Sequence, residues 1–104
     1  MSYFVYHRYG RCETNLPIPA FPNLLDELDD RPEDEEHGSV SLIHESQWGL
    51  GIRRNGYVDF ENVEADDEPR HMENVPRAKL LELMEALARG DLVALEAEPW
   101  VAGY

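Results

Sequence analysis

The side chains best suited to chemistry in this sequence are a single cysteine and four histidines. Cys12 together with His7 or His44 would supply the nucleophile and the general base of covalent catalysis. Arg11 lies next to Cys12 and would favour its thiolate form, but no oxyanion-stabilising motif accompanies the pair. These residues define one hypothesis, a small enzyme that uses Cys12 or a His44/Glu45 site. It stands as an alternative to a non-enzymatic protein, which the remaining features favour.

The histidines do not have the spacing of a metal site. They are scattered along the chain with no HxH or HxxxH pattern, at His7, His37, His44 and His71. A zinc site would need two or three of them to converge with an acid. The acidic segments also lack the alternating oxygen ligands and central glycine of an EF-hand loop. The sequence therefore predicts no metal and no cofactor.

Acidic side chains are in large excess and lie mainly in two segments. The chain has 22 acidic and 9 basic residues, a net charge of -13. In DELDDRPEDEEH, from Asp26 to His37, eight of the first eleven residues are acidic, and ENVEADDE, from Glu61 to Glu68, has five acids in eight. Such segments are usually solvated surfaces that aid solubility. A negative field of this strength also repels nucleic acid and anionic membranes and favours a basic protein partner.

Alternating apolar and polar residues predict the strands that would position these acids. In SVSLIHESQWGLGIRRNGYVDFENV most even positions from Val40 to Phe60 are apolar, which is typical of strands with one buried face. Asn55-Gly56 suits a two-residue type I′ hairpin turn. The predicted strands are Ser2 to Tyr9, Ser39 to Glu45, Gln47 to Arg54, and Tyr57 to Val63.

Gly49 and Gly51 occupy alternate positions of one predicted strand and leave a strip of its outward face without side chains. Such a strip permits a bend, another side chain lying across it, or the close approach of a partner's backbone.

Two helices complete the predicted fold. One runs from Pro22 to Asp30, and the other is VPRAKLLELMEALARG, capped by Asn74 and ended by Gly90. The C-terminal segment after Gly90 reads as a short helix or a last strand, with Trp100 and Tyr104 packed on the sheet. We therefore expect one α+β domain over residues 1–104, with a small antiparallel sheet of about four strands and two helices packed on one face.

The compartment follows from cysteine usage and hydropathy. One cysteine cannot form an internal disulfide, and no segment approaches the roughly 18 apolar residues of a membrane span. The N-terminal residues carry His and Arg early and do not read as a signal peptide. The expectation is a cytoplasmic protein.

Three segments together carry a family resemblance over about two thirds of the chain: VSLIHESQWGLGIRRNGYVDFENVE, VPRAKLLELMEALARGD and the tryptophan of EPW. In this arrangement the sequence resembles the small acidic immunity proteins of bacterial polymorphic toxin systems. The resemblance implies a cytoplasmic, non-enzymatic inhibitor that binds one cognate toxin domain and occludes its basic active site.

The interaction hypothesis assigns partner contacts to the acids and to exposed aromatic residues. Tyr57 and Tyr9 would serve as anchors, because tyrosines tend to dominate interface energies. The acids form two expected rims, Asp29, Asp30, Glu33, Asp34, Glu35 and Glu36 in the first and Glu61, Glu64, Asp66 and Asp67 in the second. A competing hypothesis is a DNA-mimic regulator that blocks a nucleic-acid-binding protein, which would require carboxylates spaced like phosphates.

Overall fold

A seven-stranded antiparallel sheet forms the framework of the computed structural model, which describes residues 2–30, 38–65 and 68–103. The strands are β1 Tyr3–Tyr6, β2 Cys12–Thr14, β3 Ser39–His44, β4 Trp48–Arg53, β5 Tyr57–Asn62, β6 Arg70–Met72 and β7 Val101–Ala102. Their spatial order is β2-β1-β3-β4-β5-β6-β7. The α+β class is confirmed, but the sheet has more strands than the four expected.

The additional strands lie at the two edges of the sheet. β2 and β6 lie in segments for which the sequence predicted no strand. Each has three residues, and β7 has two. Elements this short show no detectable alternation, so their strand conformation comes from pairing with a longer neighbour.

The central strands agree with prediction to within a residue or two, but the turn between β4 and β5 differs. Asn55 and Gly56 adopt positive φ angles of 67° and 75°, as a type I′ turn requires. However, Arg53 pairs with Tyr57, so the connection has three residues, Arg54–Gly56, instead of two. The longer connection follows from burial, because it places the even positions of both strands on the same face.

Three helices cover that face: α1 Phe21–Asp26, α2 Arg77–Ala88 and α3 Leu92–Glu96. The first predicted helix is shorter than expected, since a 3₁₀ turn over Glu27–Asp29 follows α1. Asn74 does not cap α2, because Pro76 occupies the cap position and makes no side-chain capping bond. Gly90 does end α2, with a φ of 75° and its N–H bonded to the carbonyl of Leu87 at 2.9 Å.

The core lies between the helices and one face of the sheet. Phe60 is fully buried there and stacks on Trp48 and Trp100, with ring centroids 4.6 and 5.1 Å apart. The indole N–H of Trp100 donates to the carbonyl of Leu95 at 2.7 Å. The expected packing of Trp100 on the sheet is thus confirmed, and Tyr104 lies outside the described residues. Within the described ranges, no helix combines the length and apolarity that crossing a membrane would need.

Candidate functional site

The face of the sheet away from the helices is the candidate site. Side chains on this face alternate with the buried positions and line up across strands in two rows. One row is Cys12, Tyr6, Ser41, Gly51, Asp59, His71 and Val101, and the next is Thr14, Phe4, Ile43, Gly49 and Glu61. We call this surface the open face. It is partly apolar, as Tyr6 is 41% exposed and Phe4 packs edge-on against it, with ring centroids 5.6 Å apart.

A shallow cleft runs over the two glycines of β4. It has a volume of about 140 Å³. Its lining is Ser41, Ile43, Gly49, Leu50, Gly51, Asp59, Glu61 and Val63. The glycines supply a floor of backbone, and the carboxylates of β5 stand on one side of it. We call this feature the glycine cleft.

Asp59 lies across part of this floor. A Cβ atom at position 51 would stand 2.8 Å from Oδ1 and 3.0 Å from Oδ2 of Asp59. Only glycine at position 51 therefore leaves the carboxylate where it is. This contact confirms that another side chain lies over the bare strip of β4.

The electrostatic setting of Asp59 differs from that of an ordinary surface acid. Burial, with a contribution from Glu61, raises the pKa of Asp59 from 3.8 to about 6. Arg53, the backbone N–H of Gly51 and His71 act in the opposite direction. At neutral pH the group is thus mainly ionised but poorly solvated, on a face open to solvent.

The sequence analysis assigned partner contacts to the two acidic segments and did not predict a role for Asp59. A signal was present in its position: it occupies an outward position of a predicted strand, beside a strand with two outward glycines.

The described part of the first expected rim lies with the helices. The guanidinium of Arg77 in α2 forms ion pairs with the carboxylates of Asp29 at 3.1 Å and of Asp26 at 2.8 Å. Asp30 is exposed and lies 3.5 Å from the hydroxyl of Tyr9. The other members, Glu33, Asp34, Glu35 and Glu36, lie outside the described residues.

The second rim begins on the open face. Glu61 belongs to β5 and faces away from the helices, whereas Glu64 is exposed in the following turn, where its N–H donates to Oδ1 of Asn62 at 2.9 Å. Asp66 and Asp67 lie outside the described residues. Asp29 of the first rim thus lies on the helical side of the sheet, and Glu61 of the second lies on the open face.

Tyr57, an expected anchor, lies at the start of β5 and is half-buried. Its ring stacks on the imidazole of His71, with centroids 5.5 Å apart and planes within 11°. Tyr9, the other expected anchor, is 49% exposed and has the guanidinium of Arg8 5.4 Å from its ring.

The proposed nucleophile and bases of the enzyme hypothesis do not meet. Cys12 is exposed on the open face, and His44 is only 4% exposed on the helical face. The sheet therefore separates Cys12 from His44. The nitrogens of His7 contact Glu27 at 2.7 Å and Glu13 at 3.0 Å, which leaves neither directed at Cys12.

No group of three potential ligands that could hold a metal ion occurs in the part of the chain that the structure describes. Comparison with known proteins finds no matching family model, no matching curated protein and no matching solved structure. The case for a function therefore depends on the geometry and charge of this chain.

Proposed function

We propose that this chain is a non-enzymatic binding protein that captures a basic protein, and that the partner is a cognate bacterial toxin domain whose active site it occludes. One observation carries the proposal: among the described residues, the helices cover a single face of the sheet and leave open a partly apolar face that includes Asp59 and Glu61. The net charge of -13 surrounds the chain as a whole with a negative field.

Charge complementarity supports this choice of partner. A domain that grips phosphate presents a cationic groove, and a negative surface that enters the groove competes with the substrate. The acids at Asp29, Asp30, Glu33, Asp34, Glu35, Glu36, Glu64, Asp66 and Asp67 would act mainly through this field. Long-range attraction of this kind raises the association rate and makes binding sensitive to salt.

Contacts on the open face would slow the dissociation of the complex. Tyr6 and Phe4 on β1 and Tyr57 on β5 present aromatic surface on the same face of the sheet as the carboxylates of Asp59 and Glu61. Aromatic side chains bury much area with little loss of entropy, and they dominate most interfaces. The proposal places the protein in the cytoplasm, where the exposed thiol of Cys12 would stay reduced.

A survival assay tests the proposal. The first step is to look beside this gene for one that encodes a toxin-like C-terminal domain, and any such domain is then expressed in cells with and without this chain. We expect the wild-type chain to restore growth and to bind the purified domain tightly at low salt. Binding should weaken strongly at about 1 M salt, where the Debye length is about 3 Å.

The matched variants locate the interaction. Asp59→Asn/Glu61→Gln removes two charges from the open face, and Glu82→Gln/Glu85→Gln removes two from α2. We expect the first pair to abolish protection and the second to keep it. Growth arrest that the wild-type chain does not relieve, together with no measurable complex at low salt, would refute the proposed function.

A further inference from the structure

The glycine cleft has the size of a site for one side chain. Its volume of about 140 Å³ is well below the roughly 300–1,000 Å³ of pockets for drug-sized ligands. Gly49 and Gly51 lie at its base, and the side chains of Ile43 and Asp59 cover part of their backbone. Ile43 and Val63 contribute apolar surface to the lining.

The charged groups around the cleft favour a cation. Asp59 and Glu61 both face it from β5, and Arg53 and His71 on the neighbouring strands act electrostatically on Asp59. Among the described residues Asp59 has no direct ion pair, although Arg53 and His71 act on it electrostatically. A partly desolvated carboxylate that is not in direct contact with a cation gains more from an incoming cation than a fully hydrated one does.

From this arrangement we infer that the glycine cleft is a subsite for one arginine side chain of the partner, with its guanidinium hydrogen-bonded to Asp59. The inference deepens the proposed function and rests on it, because it assumes that the partner is a basic protein. Arginine fits better than lysine for two reasons. Its guanidinium is planar and weakly hydrated, and it forms paired bonds to a carboxylate.

Binding at this subsite should be coupled to the ionisation of Asp59. A guanidinium favours the carboxylate form, so it lowers a pKa that burial and Glu61 have raised to about 6. Arg53 and His71 also face this region and act on the same carboxylate, whereas the phenol of Tyr57, with a pKa raised above 10, is uncharged between pH 5 and 7. Affinity for the arginine should therefore increase as the pH rises from 5 to 7.

Peptide titration by NMR tests the assignment directly. The probes are three short peptides, acetyl-Gly-X-Gly-amide with X as arginine, lysine or citrulline, added to the ¹⁵N-labelled full chain. Citrulline has nearly the shape of arginine but no charge. We expect the arginine peptide to shift the amide signals of Gly49, Gly51 and Asp59, and the lysine peptide to do so several-fold more weakly. The citrulline peptide should have no effect.

Two variants disrupt the subsite in different ways, so that a folding defect in one of them does not decide the test. Asp59→Asn removes the charge, and Gly51→Ala places a methyl group on the cleft floor, where it displaces the carboxylate. Each should weaken the arginine response at least about fivefold, since a charge-assisted bond is lost. Glu82→Gln should leave the response unchanged. Equal responses to arginine and citrulline, or to arginine and lysine, would overturn the assignment.

The same variants separate this inference from the proposed function. If the toxin domain binds Asp59→Asn as tightly as the wild type, the subsite is refuted and the proposed function stands. If the arginine peptide binds as expected but the chain neither binds nor neutralises the toxin domain, the proposed function fails and the cationic subsite remains.

Discussion

The carboxylate of Asp59 lies against the backbone of Gly51 on the neighbouring strand, where a Cβ atom would stand 2.8 Å from Oδ1. Gly49, two residues earlier, has a different neighbour, because a Cβ atom there would lie 3.2 Å from Cγ1 of Ile43. The two glycines form one floor but contact different side chains. Alanine at each position should therefore have different effects on Asp59.

Gly51→Ala should move the Asp59 carboxylate toward solvent. Relief of burial would lower the pKa of Asp59 from about 6 toward its ordinary value of 3.8. A ¹³C NMR titration of the Asp59 side chain measures this change. Gly49→Ala is the matched control, and it should leave the pKa of Asp59 near 6 because its Cβ meets Ile43 instead. An equal fall in both variants would contradict the role of the Gly51 contact.

Asp59→Asn should stabilise the fold at neutral pH. Because the folded-state pKa is raised, the folded protein holds the Asp59 proton more tightly than the unfolded chain between pH 3.8 and about 6. The free energy of unfolding of the wild type therefore falls as the pH rises through that interval. With allowance for solvent screening at this partly exposed site, we expect the variant to be about 1 kcal/mol more stable at pH 7.

Urea denaturation at pH 7 and at pH 4 checks this expectation. Near pH 4 the wild-type carboxyl is mostly protonated in the folded protein, so the two proteins should have similar stabilities. A stability difference that does not depend on pH would argue against the ionisation of Asp59 as its cause. Greater stability combined with loss of binding would mark Asp59 as a residue retained for function.

The central part of the fold was predictable because its alternating pattern extends over many residues. Apolar residues at even positions from Val40 to Phe60 define the buried face of three strands, and the leucines of α2 repeat at helical spacing. The edge strands β2, β6 and β7 are too short to carry any period. Their conformation depends on the strand beside them, which local sequence does not specify.

The environment of Asp59 depends on the register between β4 and β5. A two-residue turn at Asn55-Gly56 would pair Arg54 with Tyr57 and bring Gly51 opposite Phe60. The observed three-residue turn pairs Arg53 with Tyr57, and Gly51 then meets Asp59. Matching the buried positions of both strands would have excluded the shorter turn, so the pairing was within reach of sequence analysis.

His7 should make stability depend on pH in a second region of the molecule. Its Nδ1 lies 2.7 Å from Glu27 and its Nε2 lies 3.0 Å from Glu13. Both nitrogens can donate only in the protonated ring. Burial alone would lower the pKa of His7, but the hydrogen bonds to Glu27 and Glu13 outweigh burial and raise that pKa above 6.5.

The contribution of His7 is therefore fully present below pH 6.5 and is lost as the pH rises through the folded-state pKa. We expect His7→Gln to destabilise the protein more at pH 6 than at pH 9, as measured by urea denaturation. Glu13→Gln should lower the pKa of His7 in an NMR titration, whereas Glu45→Gln, at an exposed site, should not. An equal loss of stability at both pH values would exclude protonation as the cause.

Gly56→Ala should be far more damaging than Gly10→Ala, although both glycines have positive φ angles, 75° and 95°. A Cβ atom at position 10 meets nothing within 4 Å, so alanine there should cost only the strain of left-handed backbone, about 1–2 kcal/mol.

At position 56 a Cβ atom would also overlap the backbone of Val75, whose nitrogen would lie 2.6 Å away. The N–H of Val75 donates to the carbonyl of Gly56 at 3.0 Å, which joins the β4–β5 turn to the chain just before α2. We expect Gly56→Ala to lower the free energy of unfolding by more than about 3 kcal/mol, because backbone atoms cannot move aside as a flexible side chain can. Denaturation of the two variants side by side measures the difference. Similar losses would mean that this turn can separate from the start of α2 at little cost, and that the hairpin carrying the glycine cleft is not fixed by this contact.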